Sequence, residues 1–120
     1  MVEAVQRSLK ARRGDAWEGE AYRLVSATPG FWSGASAKCQ IRKTETSPVS
    51  HEFSLSPVVT QEGANTVLTV ELGLSEYESA RLAPGTYFGD LEVRSTLLPK
   101  STIVQFTLEV FGDITRMSNA

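Results

Sequence analysis

Leu82-Ala83-Pro84-Gly85-Thr86-Tyr87-Phe88-Gly89-Asp90-Leu91-Glu92-Val93 is where the fold is read, because a helix-like turn stops at Pro84-Gly85 and an alternating strand starts at once. Tyr87, Gly89, Leu91 and Val93 share one face at the two-residue period of a strand, and Phe88, Asp90, Glu92 and Arg94 share the other. A strand that is dry on one face requires a second layer to cover it. Tyr87, two residues beyond Gly85, fits the buried corner tyrosine of sandwich folds, whose hydroxyl bonds nearby backbone.

Outward from this strand the pattern repeats. Thr102 to Phe111 turns Val104, Phe106, Leu108 and Val110 inward after a turn at residues 97–101. Ser75-Glu76-Tyr77-Glu78 matches a capping box and predicts one or two helical turns over 75–82. Thr66 to Leu72 sends Leu68, Val70 and Leu72 inward behind a hairpin turn at Glu62-Gly63-Ala64-Asn65. His51 to Ser56 carries Phe53 and Leu55 at strand spacing, Pro57 interrupts, and Val58-Val59-Thr60 continues the run. Ala35 to Lys43 has small inward residues, Ala35, Ala37 and Cys39 with Ile41, leaving room for Trp17, Trp32 or Tyr87. Trp17 to Val25 turns Tyr22 and Leu24 inward with a bulge near Gly19, and Val5 to Ala11 is a first strand with Val5, Arg7, Leu9 and Ala11 on one face. These elements predict an all-β, immunoglobulin-like antiparallel β-sandwich of about seven strands, with one short helical turn near residues 75–82, as a single domain over 1–120.

The 120 residues suffice for one core, burying roughly 65% of the unfolded surface. A single cysteine, Cys39, rules out an intrachain disulfide and a Cys-x-x-Cys pair, and no run of about 18 apolar residues exists to span a bilayer, so folding in a cytoplasm without membrane association is expected. Charge is uneven: residues 1–43 hold eight Lys/Arg against four Asp/Glu, and residues 44–120 hold four against ten. In a sandwich the halves interleave, which gives a solvated surface; complementary charge between neighbouring subunits is the sharper reading.

Catalytic constellations are not found in the sequence. His51 is the only histidine and no Gly-x-Ser-x-Gly elbow is present. Glu18/Glu20, Glu76/Glu78 and Asp90/Glu92 lie where a strand or a first helical turn meets solvent, and Cys39 is in the inward register. The expectation is no enzyme, no cofactor and no metal. Lys10, Arg12 and Arg13 form a basic cluster of three side chains, too few for nucleic acid, and Phe31-Trp32 after the Pro29-Gly30 turn is either a core or rim aromatic pair or an exposed platform. These five residues are the candidate interaction surface.

Arg13-Gly14-Asp15-Ala16-Trp17-Glu18, the run Ser33 to Arg42, the run Leu82 to Val93 and the closing Gly112-Asp113-Ile114-Thr115-Arg116 carry a resemblance over about residues 13–116. They are similar to small immunoglobulin-like structural proteins of tailed bacteriophages and prophages, and to the N-terminal domain of upper baseplate proteins. That pattern runs from Arg-Gly-Asp and an aromatic, through Thr-Gly-Ala and a Gln-Ile-Arg strand, to Leu-x-Pro-Gly-x-Tyr; this chain carries Ser33 for the threonine and Gly89 before Asp90. The resemblance implies a non-enzymatic tail or baseplate component, present in many copies or as a homo-oligomer among other phage structural proteins, in the host cytoplasm during assembly and then in the virion. A capsid decoration or cement protein, and a carbohydrate- or host-surface-binding module using Phe31 and Trp32, are the alternatives; a hydrolase is the remotest.

Overall fold

The computed structural model describes residues 4–112, in which the elements run β1 Val5–Arg12, β2 Ala21–Ser26, β3 Ser36–Arg42, β4 His51–Glu52, β5 Val58–Glu62, β6 Asn65–Glu71, α1 Glu76–Ala80, β7 Gly85–Arg94 and β8 Ser101–Phe111. They form a five-stranded sheet in the order β1-β8-β7-β3-β4 and a three-stranded sheet in the order β2-β6-β5. Cys39, Ile41, Leu68, Leu72, Leu91 and Leu108 have no exposed surface and make the centre of the core between the sheets. The architecture is an immunoglobulin-like β-sandwich with one short helix, as the alternation predicts.

β7 owes its place to its sequence. Tyr87, Leu91 and Val93 are buried, and Gly89 is required between them because a Cβ there would lie 2.5 Å from Phe106 Cζ and 2.7 Å from Ile41 Cγ2. The Tyr87 hydroxyl donates to the Ala83 carbonyl at 2.7 Å, the expected corner. Ser75 caps α1 through a reciprocal pair: Glu78 N–H donates to Ser75 Oγ at 3.1 Å and Ser75 N–H to Glu78 Oε1 at 2.9 Å. The hairpin at Gly63-Ala64 joins β5 to β6 with Glu62 opposite Asn65.

Three features correct the expected architecture. The described residues hold eight strands, and β1 runs parallel to β8, from Val5 opposite Val104 to Arg12 opposite Phe111, so the sandwich is not wholly antiparallel. β5 does not extend β4. The chain changes sheets across Pro57, so β4 ends the five-stranded sheet after two residues and β5 edges the other sheet with all five of its residues exposed. In β8, Leu91 faces Val104 while Glu92 faces Thr102, so Ile103 is an extra residue, and the local bend buries both Ile103 and Val104. The Gly19 irregularity is present: Gly19 has φ +64° and separates an isolated Trp17–Leu74 bridge from β2.

On the outside of the three-stranded sheet Val67 is 1% exposed although its face points away from the core. Arg23 on β2 is opposite Thr69, and Glu62 on β5 is opposite Asn65, so the Arg23–Glu62 ion pair of 2.5 Å crosses β6 above Val67. On that face Val25 of β2 and Thr60 of β5 stand directly opposite Val67 and flank it on both sides. Of the phage-like closing motif only Gly112 falls within the described residues, and Met117-Ser118-Asn119-Ala120 lies outside them.

Candidate functional site

The expected surface residues do not converge. Trp32 is 4% exposed and packs edge-on to the half-buried Phe31 at 4.8 Å, so it offers no platform and that reading of the pair is corrected. The turn holding it is tied to the far end of β7: Ser95 Oγ donates to the Phe31 carbonyl at 2.5 Å and Thr96 N–H to the Ser33 carbonyl at 2.9 Å. Two backbone latches pull the aromatic inward. Lys10 and Arg12 do share the outer face of β1, where Lys10 Nζ sits 5.9 Å from the Phe111 ring centroid. Arg13 leaves them: its Nε donates to the Leu82 carbonyl at 3.1 Å, while Gly14 N–H donates to Ser79 Oγ at 2.8 Å and Ser79 Oγ to the Arg12 carbonyl at 3.0 Å. The Arg-Gly-Asp turn is therefore a fastening between β1 and the helix.

Arg7, inward on the edge strand β1, forks onto the Glu20 carboxylate, which also accepts from the Tyr22 hydroxyl at 2.6 Å. This network closes one flank of the sandwich. The bonds from Arg7 and Tyr22 hold the Glu20 carboxyl below its ordinary value, and burial followed by the Glu20 contact pushes the Tyr22 phenol up. On the opposite flank His51 Nε2 lies 3.9 Å from Glu78 and has no hydrogen-bond partner among the described residues; burial lowers its pKa, with Glu78 working against the shift. Burial, then the charge of Asp90, raises the Cys39 thiol far above its usual range. No three His, Cys, Asp or Glu side chains among the described residues come together as a metal site.

What the sequence did not single out is the outer face of the five-stranded sheet. Gln6, Gln105, Asp90, Gln40 and Glu52 stand in register across all five strands as one polar row. The next row places Phe88 between Thr107 and Arg42, and Phe88 is 50% exposed. A trough of about 880 Å³ runs over these residues. Gln6 Nε2 donates to Gln105 Oε1 at 2.7 Å, Gln40 Nε2 donates to Glu52 at 2.5 Å, and Arg42 is held by Gln40 Oε1 and the Ser47 carbonyl. Asp90, in the middle, accepts from none of the described residues, and burial with the nearby charge of Glu92 raises its pKa. The lining residues include no histidine, cysteine or serine. They do include amides, carboxylates, cations and the Phe88 ring, which can hydrogen-bond and stack with a ligand. The signal was an aromatic, Phe88, on the solvent face of an alternating strand.

No protein-family model matches the chain, and no curated protein matches it. Among solved structures it is similar to one from a study of the multimeric cell-adhesive interactions of VGSC beta subunits, at 13% identity and a TM-score of 0.45 over 88% of this chain and 91% of that one. It is also similar to AggA, the major subunit of aggregative adherence fimbriae type I of Escherichia coli, at 11% identity and a TM-score of 0.37 over 86% and 89% of the two chains.

Proposed function

We propose that this chain is a non-enzymatic structural protein of a tailed-phage virion, a tail or baseplate component that acts by joining other proteins. The motifs that resemble such proteins fall on the joints of the fold: Arg13-Gly14-Asp15 fastens β1 to α1, Ser33-Gly34 leads into β3, and Pro84-Gly85-Thr86-Tyr87 forms the corner. The observation that carries the reading is the edge strand β5. Val58-Val59-Thr60-Gln61-Glu62 is exposed throughout, contains neither proline nor lysine, and pairs on one side only. An exposed, β-branched edge of this kind leaves backbone donors and acceptors to be completed by another chain's strand. Partners are then other virion proteins or further copies of this one, with neither cofactor nor nucleic acid.

The test is to image purified virions by electron cryomicroscopy and to identify their proteins by mass spectrometry. Density for this sandwich on the tail or baseplate, with β5 against a neighbour, is the expected result. Copies on the capsid surface would move the protein to a decoration role, and its absence from virions would overturn the proposal.

A further inference from the structure

We propose that the trough over β7 binds a neutral saccharide, with Phe88 as the stacking surface and Asp90 as the central hydrogen-bond acceptor. The polar row leaves its central group without a partner among the described residues. Gln105 accepts from Gln6 and Gln40 donates to Glu52, so both neighbours of Asp90 are turned toward the sheet edges. A carboxylate held half-buried in mid-sheet without a donor is a group that a ligand hydroxyl satisfies.

Charge decides the ligand class. Lys38, Arg42 and Lys100 line the trough with Glu45, Asp90 and Glu92, and Arg7 borders it from the edge strand with its guanidinium turned to Glu20. Arg7 is committed to Glu20, Lys100 to Glu92 at 3.4 Å, and Arg42 to Gln40 and the Ser47 carbonyl. A phosphate or sulfate would meet Asp90 and Glu92, and a cationic ligand would meet Lys38 and Arg42. A neutral polyol uses both kinds of group. A protein surface is a poorer occupant, because seven of the fifteen lining residues are charged and interface centres are depleted of charge. Phe88 offers a half-exposed ring on which the C–H face of a sugar lies, while Asp90, two residues along the same face, takes its hydroxyls. The trough is open and offers one stacking ring, so single-site affinity is weak, on the order of millimolar. Display of many copies is what makes it effective.

The experiment applies the full chain to a dense array carrying immobilised neutral hexose and N-acetylhexosamine oligosaccharides beside acidic glycans, then titrates the isotope-labelled chain with the soluble form of each one bound. Binding is expected, with shifts confined to Gln40, Phe88, Asp90, Gln105 and their neighbours. Phe88→Ala and Asp90→Ala each weaken it about tenfold or more, Phe88→Trp retains it, and Tyr77→Ala, an exposed aromatic on α1, leaves it unchanged. Thermal melts confirm that each variant folds. No neutral oligosaccharide bound at millimolar concentration, retention of acidic glycans only, or indifference to both alanine variants would each overturn the proposal. So would a dimer in sedimentation that Phe88→Ala dissociates, since the face would then belong to a second copy. Virion placement is read separately, so this inference and the assembly role fail independently.

Discussion

The Tyr87 hydroxyl donates to the Ala83 carbonyl across 2.7 Å and closes the corner at which the connection leaving α1 becomes β7. The ring is 1% exposed, so the bond stands in place of one to water. Tyr87→Phe keeps the ring and leaves the carbonyl without its partner. A loss of about 1–2 kcal/mol in urea unfolding is expected, with an unchanged slope on denaturant.

Gly19→Ala should be the costliest glycine substitution in the chain. At φ +64° a side chain is strained, and its Cβ would sit 2.1 Å from the backbone oxygen of Leu72, whose own N–H is fixed by a 2.9 Å bond to the Glu20 carbonyl. About 3 kcal/mol or more is expected. Gly89→Ala meets the Phe106 ring and the Ile41 methyl, which can shift, so about 1–3 kcal/mol is expected there. Thermal melting of the two variants gives the order.

Acid should weaken the Arg7–Glu20–Tyr22 flank. Because the Glu20 carboxyl is lowered from 4.5 in the folded chain, its contribution is full above that value and is lost as pH falls through the lowered one. Glu20→Gln removes this part of the acid dependence and flattens the fall in urea midpoint. Asp90 has the opposite sign: its folded value is raised above 3.8, so acidification relieves its buried charge, and Asp90→Asn should steepen the fall.

Cys39 should be inert in the folded state. It has no exposed surface, and burial disfavours its thiolate. A thiol-reactive dye at neutral pH should label the native chain on the order of a thousandfold more slowly than the denatured one. Labelling at comparable rates would mean that β3 opens readily from β7.

Most of the sandwich is legible in local pattern. Leu68, Val70 and Leu72, and Val104, Phe106, Leu108 and Val110, lie inward as their alternation dictates, and Ser75 caps its helix as spaced. What local pattern lacks is the identity of the neighbour. Val58-Val59-Thr60 has the composition of a strand but no buried face, so nothing in it says which sheet it joins after Pro57. Val67 reads as solvent-facing and is buried between Val25 and Thr60, its opposites on the two flanking strands, with the Arg23–Glu62 pair spanning it diagonally. Trp32 follows a turn like an exposed aromatic, and the bonds that draw it in come from residues more than sixty positions away. The polar row around Asp90 draws on five strands, so only Phe88 announced it.

Because β1 and β8 run side by side in the same direction, Val5 and Phe111 stand at opposite poles of the sandwich, about 23 Å apart along the ladder. Tension applied through these two points would slide one strand along the other and load every bond between them together, where an antiparallel pair pulled from one end would unzip bond by bond. Resistance is then a property of the whole ladder, governed by the rate of its rupture rather than by equilibrium stability. Under such a load the parallel pairing engages the two strands along their whole shared length at once.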